Sequence, residues 1–292
     1  WSGYFQDDFK LSKALTLTLG LRYEYETAPY DPEDRVSRYL DLKDPSPEMK
    51  ANPPQIPSAA ASLMRAPYQF TGAWYFADSG NRHMWNSPKN TVLPRAGLAY
   101  KLNDKTAFRV GYARFAIPAM FMAVGGIGDT SLGSLYMPGF NADTYTSPVL
   151  EGIPTAHFRD PFPKTNPLIQ PIGKGYGRYT GIGGDLRWSY QDVKAAYNDR
   201  VNVSVQRELW NQIVLDATYF TNFGTNQTYN KQLNMADPSL SYTYKAELSK
   251  KVANPFYNYL TPRQFPGSLR YQEFVTVGSL LKPYPHYGSL QQ

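Results

Sequence analysis

Between Leu15 and Tyr25 the chain alternates without a break. Leu15, Leu17, Leu19, Leu21, Tyr23 and Tyr25 are separated by Thr16, Thr18, Gly20, Arg22 and Glu24. A period of two places the first set on one face of an extended strand and the second set on the other. Such a run is longer than the five or six residues of an ordinary globular strand, and it matches the roughly 9–11 residues with which a tilted strand crosses a bilayer.

The pattern recurs. Ser2 to Leu11 reads as a preceding strand with Tyr4, Gln6, Asp8 and Lys10 on its polar face, and Ser12, Lys13 and Ala14 make the turn. Arg95 to Leu102 places Ala96, Leu98, Tyr100 and Leu102 on one face, turns at Asn103, Asp104 and Lys105, and returns from Thr106 to Phe115. In that return strand Phe108, Val110 and Tyr112 oppose Arg109 and Gly111. Val201, Val203 and Val205 alternate with Asn202, Ser204 and Gln206, turn at Trp210, Asn211 and Gln212, and return through Ile213, Leu215, Ala217 and Tyr219. A leucine precedes each turn (Leu11, Leu102, Leu209), and no proline is expected inside the six strands, as an interior ladder requires. Asp7 breaks the scheme by sharing a face with Phe5 and Phe9. A bulge or a lumenal partner would accommodate it.

Three long segments separate the hairpins, at about 26–94, 116–200 and 222–283. Compact soluble domains rarely carry structureless loops above ~12–15 residues, whereas outer-membrane barrels combine short periplasmic turns with long extracellular loops. Within the long segments Ser58–Arg65 and Tyr244–Val252 have helix-forming composition, and Trp74–Phe76 reads as a strand. No apolar run approaches the ~18 residues of a membrane helix, and the longest, Phe115–Val124, contains Pro118. The mean hydropathy of −0.50 is compatible with strands that alternate. The expected fold is all-β: a slice of a transmembrane antiparallel β-barrel, with residues 1–292 part of one barrel domain. The start at Trp1 and the lack of a leader lead us to expect a piece of a longer protein.

Chemistry-bearing patterns are sparse. The chain has no Cys, which removes thiolate sites. His83, His157 and His286 are far apart in loops and read as solvated rather than as a metal or triad set. The acids Asp31, Glu33, Asp34, Asp41 and Asp44 lack EF-hand spacing and read as a solvated face rather than a Ca²⁺ site. Neither Gly125-Gly126-Ile127-Gly128 nor Gly173-Lys174-Gly175-Tyr176-Gly177 matches a phosphate loop, and there is no G-x-S-x-G. The net charge of +6 is interspersed rather than clustered, so nucleic acid is not an expected partner. No enzyme activity, metal or cofactor is expected. Tyr23, Tyr25 and Trp210 fit an interfacial aromatic girdle. The loop aromatics Trp74, Tyr75, Tyr136, Phe140, Tyr145 and Trp188 either stack on a sugar-like ligand or pack inside folded loops.

Tyr4-Phe5-Gln6-Asp7-Asp8-Phe9-Lys10-Leu11, followed by Leu15-Thr16-Leu17-Thr18-Leu19-Gly20-Leu21-Arg22-Tyr23-Glu24, resembles a barrel hairpin of TonB-dependent outer-membrane receptors, of the Oar-like type with a carboxypeptidase-regulatory-like N-terminal domain. Pro94-Arg95-Ala96-Gly97-Leu98-Ala99-Tyr100 with Lys105-Thr106-Ala107-Phe108-Arg109-Val110-Gly111-Tyr112 is similar to a later hairpin. Further matches are Val205-Gln206-Arg207-Glu208-Leu209, Asn254-Pro255-Phe256 and Leu280-Leu281-Lys282-Pro283-Tyr284-Pro285. The resemblance implies a whole barrel of about 22 or more strands, a plug and a TonB contact outside this chain, and energised uptake of a ligand captured by the extracellular loops. On that reading Arg22, Glu24, Arg109, Asn202 and Gln206 face the lumen and are candidates to touch plug or ligand. The partners are then outer-membrane lipid, TonB through segments outside this chain, an unidentified ligand, and a surface lipoprotein or other subunit. A surface adhesin without transport is the alternative.

The loop asymmetry sets the topology. A protease added to intact cells should cut within residues 26–94 or 116–200 and spare the turns at Ser12–Ala14 and Asn103–Lys105. Mass spectrometry of the released peptides reads this, and cleavage confined to the short turns would reverse the orientation.

Overall fold

The computed structural model describes residues 1–119, 149–150, 153–154, 158–161, 164, 172–210 and 213–292. Its strands are, in chain order, β1 (Ser2–Lys10), β2 (Leu15–Glu24), β3 (Ser37–Pro45), β4 (Thr71–Phe76), β5 (Thr91–Asn103), β6 (Thr106–Ile117), β7 (Val149–Leu150), β8 (Ile153–Pro154), β9 (Leu186–Arg187), β10 (Ala196–Glu208), β11 (Val214–Thr225), β12 (Lys251–Ala253), β13 (Phe274–Thr276) and β14 (Leu290–Gln291). The helices are short: α1 (Pro47–Ala51), α2 (Ser58–Ala61), α3 (Pro238–Tyr244) and α4 (Val277–Leu280). Among the described residues no helix is long and apolar enough to cross a membrane. The chain divides into two compact units: Trp1–Pro29, Trp85–Asp129 and Gln191–Tyr229 form one, and Tyr30–Met84, Thr130–Tyr190 and Asn230–Gln292 the other.

The first unit is a six-stranded antiparallel sheet in the order β1-β2-β5-β6-β10-β11, a meander in chain order. Its register aligns the alternation of every strand with that of its neighbours. One cross-strand row reads Phe9, Leu17, Leu98, Val110, Val203, Tyr219. The adjacent row on the opposite face reads Lys10, Thr16, Ala99, Arg109, Ser204, Thr218. Since a slip of one residue would exchange the two faces, the leucine and valine pattern specifies this register.

Turn chemistry agrees with it. The β5–β6 hairpin closes over Asp104 and Lys105, with Asn103 paired to Thr106 and its Oδ1 accepting from the Lys105 N–H at 3.0 Å. Leu11 N–H donates to the Leu15 carbonyl at 3.0 Å, and Leu209 N–H to the Ile213 carbonyl at 2.7 Å.

Two sequence expectations need correction here. Pro94 lies inside β5, because that strand begins at Thr91 rather than Arg95. It pairs with Leu21 of β2, and the ladder to β6 starts one residue later at Arg95↔Ala113, so Pro94 has a strand neighbour on one side alone and its missing N–H is tolerated. Asp7 sits in an unbroken β1–β2 register opposite Leu19, so no bulge turns it away from the apolar face.

The second unit builds a core from residues with no period-two pattern. Trp74 of β4, Ile182, Trp188, Phe256, Phe265 and Leu290 are among its buried side chains. Phe256 stacks on Phe265 at 5.5 Å between centroids, and Trp74 meets Trp188 edge to face at 6.4 Å. Two buried asparagines hold the surrounding loops. The Asn234 amide donates to the carbonyls of Tyr284, Tyr287 and Gly288 while its Oδ1 accepts from the Tyr284 N–H. The Asn254 amide donates to the carbonyls of Leu269 and Gln272, and its Oδ1 accepts from the Phe256 N–H. Gly72, at φ +136°, lies so close to the Tyr287 ring that a Cβ there would stand 2.4 Å from the hydroxyl.

The helix-forming stretches shorten in this setting. Of Ser58–Arg65 only α2 is helical. Tyr244–Val252 becomes the end of α3, a 3₁₀ turn over Lys245–Ser249 and the start of β12. Asp237 stops α3 from starting earlier, because its side chain caps the Ser239 N–H and Pro238 takes the first turn.

His286 overturns the expectation of a solvated loop histidine. It is 1% exposed, with its ring 5.5 Å from Phe70, 6.5 Å from Tyr284 and 4.6 Å from Tyr287. Nε2 donates to the Thr71 carbonyl at 2.9 Å, which leaves Nδ1 as the unprotonated nitrogen, without a partner among the described residues. Protonation would bury an unpaired charge, so burial lowers the pKa from 6.5 to about 4 against the opposing pull of the Thr71 carbonyl. Below the unfolded value the unfolded chain binds the proton first. The contribution of His286 is therefore complete above about pH 6.5 and is lost progressively as the pH falls toward 4, at up to ~1.4 kcal/mol per pH unit. Unfolding of this unit followed by the fluorescence of Trp74 and Trp188 should show that loss, and His286→Gln should flatten it. Equal pH dependence in the two proteins would count against the assignment.

Candidate functional site

Four of the five side chains expected to face a lumen form local pairs on the polar face of the six-stranded sheet. Arg22 and Glu24, next but one on β2, pair at 2.5 Å. Arg109 of β6 donates to Gln206 of β10 at 3.1 Å. Asn202 is placed by Gly111, its cross-strand neighbour: its Oδ1 lies 2.4 Å from where a Cβ on Gly111 would be, so the amide fits against bare backbone. Thr18 donates to Asp8 across the β1–β2 pair at 2.5 Å. These are hydrogen-bond donors and acceptors on a rigid ladder, and none is a nucleophile aligned with a base.

The opposite face is apolar and exposed over its middle, with Leu19, Leu98, Val110 and Tyr219 all uncovered. Its end away from the hairpin turns carries a polar cluster. Arg114 grips Asp199 through both carboxylate oxygens at 2.8 and 2.9 Å, Tyr112 donates to the same carboxylate at 2.7 Å, and the guanidinium lies 4.9 Å from the Tyr197 ring. At the same end the Tyr23 hydroxyl reaches the Lys89 carbonyl at 2.9 Å. The alternation missed Tyr197, Asp199 and Arg200 because a charge on the apolar face ends the visible pattern at Val201, although β10 continues to Ala196. An Arg and an Asp at matching positions beyond two apolar runs were the available signal.

The loop aromatics separate by burial. Trp74 and Trp188 are 3% and 5% exposed, and the Trp74 indole donates to Ser37 at 3.1 Å, so both rings serve the core and offer no surface for stacking. Tyr75 is exposed, but one side of its ring is taken by Tyr39 at 5.1 Å, nearly parallel, and its hydroxyl donates to Asp44 at 3.0 Å. Tyr136, Phe140 and Tyr145 lie outside the described residues, as do His157, Asn211, Gln212 and Gly125 to Gly128. Trp210 is exposed beside the β10–β11 turn.

The acids of this stretch are tied one by one to neighbouring donors, on a surface where Glu33 stays largely exposed. Asp31 and Glu33 pair with Arg35 at 2.5 and 3.1 Å, Asp34 with Arg82 at 2.6 Å, and Asp44 with Arg178 at 3.1 Å, while Asp41 accepts from the Lys43 N–H at 2.8 Å. The Arg35 guanidinium and the Glu33 N–H hold the Asp31 carboxyl below its usual range. Among the described residues no cluster of three or more metal-ligating side chains exists. Gly173 to Gly177 form turns, with φ +58° and +52° at the two end glycines.

The family described as outer membrane beta barrel domain matches residues 1–292, the whole chain. This chain belongs to that family. It is a protein of the bacterial outer membrane, and its six-stranded sheet is part of an outer-membrane barrel. No curated protein matches it. Among solved structures it is similar to the alcaligin outer membrane receptor FauA from Bordetella pertussis, at 12% identity and a TM-score of 0.23, over 78% of this chain. The chain spans 30% of the length of that receptor.

In an outer-membrane barrel the exposed apolar face meets hydrocarbon and the polar face the interior. The Tyr112–Arg114–Tyr197–Asp199 cluster then stands at the level where the apolar band ends, where aromatic rings with a polar edge belong. Leu19→Arg should block assembly, at a cost of roughly 2–4 kcal/mol near the midplane, while Thr18→Arg should assemble normally. Heat-modifiable migration of outer-membrane fractions on gels measures this, and equal assembly of both variants would refute the face assignment.

Proposed function

We propose that this chain is part of the barrel of a TonB-dependent transporter of the Oar-like type, which moves a ligand inward with energy relayed from the inner membrane. The observation that carries the reading is the ordered series of sequence resemblances, from Tyr4–Leu11 to Leu280–Pro285, on a chain whose sheet has a polar face suited to a water-filled interior. The outer edges of β1 and β11 have no strand partner within this sheet, and in a bilayer an unpaired edge leaves backbone groups unsatisfied, so further strands cover both edges in the whole barrel. That fits a barrel of about 22 or more strands. The outer membrane has no nucleotide supply of its own, so work done there arrives through a partner, here TonB, acting on a plug outside this chain.

The long segments between β2 and β5 and between β6 and β10 are extracellular loops in this reading, and they are what first meets the ligand. A solute whose uptake depends on the full-length protein should still bind to cells after a protonophore collapses the proton gradient, and should cease to accumulate. Accumulation that survives the collapse would mark a passive pore. Binding without accumulation in energised cells would mark an adhesin.

A further inference from the structure

On the polar face two cations without an anionic partner among the described residues share one aromatic ring. Arg95 of β5 and Arg200 of β10 both oppose Ala113 of β6, one from each side. Their guanidinium carbons lie 5.6 and 5.8 Å from the centroid of the same ring, Phe115. Neither forms an ion pair among the described residues, and Arg200 reaches only a neutral acceptor, the Asn222 amide oxygen at 3.0 Å. Three other bases of this sheet are matched to acids, Arg22 with Glu24, Lys101 with Asp104 and Arg114 with Asp199, while Arg109 meets the neutral Gln206. Two like charges gathered on one aromatic ring repel each other, and a bound anion removes that cost.

The surroundings are shaped to admit one. A groove of about 340 Å³ opens beside the pair, with no Asp or Glu among its lining residues. Gly97, Gly111 and Ala113 are among its lining residues, and the two glycines leave room for the side chains of Thr18 and Asn202 to lie against the backbone. Gln6 and Asn202 stand at its sides with amides that can donate. Guanidinium is planar and presents paired N–H groups that match the two oxygens of a carboxylate or phosphate.

We propose that this groove is an oxyanion-binding site, taking a carboxylate or phosphate group between Arg95 and Arg200. The proposal deepens the transporter reading, since it rests on this face lining the barrel interior. Two sources supply that chemistry: a soluble anion passing through the interior, or an acidic side chain from a part of the protein outside this sequence.

The test uses full-length protein purified from outer membranes in detergent. Inorganic pyrophosphate is titrated calorimetrically into wild type, Arg95→Gln/Arg200→Gln and Arg95→Lys/Arg200→Lys, after gel migration has established that each variant assembles. If the Gln pair does not assemble, the two single Gln variants replace it. For a soluble anion, wild type binds pyrophosphate, the Gln variant binds at least tenfold more weakly, and the Lys variant falls between them. For an internal acidic partner, wild type takes up no pyrophosphate, while the Gln variant melts earlier and exposes a new protease site that the Lys variant keeps protected. Equal pyrophosphate binding in wild type and Gln variant overturns the proposal. So does an absence of binding together with an unchanged melting point and protease pattern. Loss of energised uptake as an activity, with pyrophosphate binding intact, would instead sink the transporter reading and leave the site standing.

Discussion

Backbone groups inside hydrocarbon have no water to bond with, so a strand that crosses a membrane must satisfy every N–H and C=O on its neighbours. In this chain the four inner strands have a neighbour on each side, in an antiparallel ladder whose register runs from Phe9 to Tyr219 with all six strands in phase. The register then decides everything placed on it. It puts Leu17, Leu98, Val110 and Val203 side by side on one face, and it brings Arg109 to Gln206 and Asn202 to Gly111 on the other. A transfer term of roughly 25 cal/mol per Å² of apolar surface stabilises the lipid-facing rows, and a slip of one residue would forfeit it on every strand at once. The irregularities fall where the ladder tolerates them, with Pro94 at the start of a pairing and the Lys101/Asn103 shift beside a turn.

The second unit obeys a different rule. Two of its segments lie between strands of the sheet and the third follows the last of them, and they are stable because they share an apolar core, not because they are regular. Burying a large side chain such as Phe256 or Phe265 is worth roughly 1.5–3 kcal/mol, against roughly 0.5–1.5 for a typical hydrogen bond, so the ring cluster dominates and the asparagine clamps give it shape. The family-like stretches Asn254-Pro255-Phe256 and Leu280 to Pro285 belong here. Asn254, Phe256, Leu280 and Pro285 are buried, so the resemblance follows packing rather than chemistry.

Charge is distributed with the same economy. Acids of the second unit are clamped by arginines from distant parts of the chain, as with Asp34 and Arg82 or Asp44 and Arg178. On the sheet, Asp199 is held by Arg114 at the border of the apolar band, where an isolated carboxylate would be costly. Against that background Arg95 and Arg200 stand out, because they lie together and have only an aromatic ring and an amide for company.

Strand periodicity is a local property, since a residue's face follows from its parity along its own strand. Periodicity therefore marks the paired strands, their two faces, the turns at Ser12–Ala14 and Asn103–Lys105, and the placing of Arg22, Glu24, Arg109, Asn202 and Gln206 on the polar side. What it could not determine depends on residues far apart in the chain. Whether Trp74 and Trp188 meet a ligand or each other, whether His286 is wet or buried, and whether Asp34 faces water or Arg82 are questions of tertiary neighbours, and no period in the sequence records them. The Arg95–Phe115–Arg200 group belongs to the same class. Each residue has an ordinary place in its strand, and only the pairing of β5, β6 and β10 makes them one site.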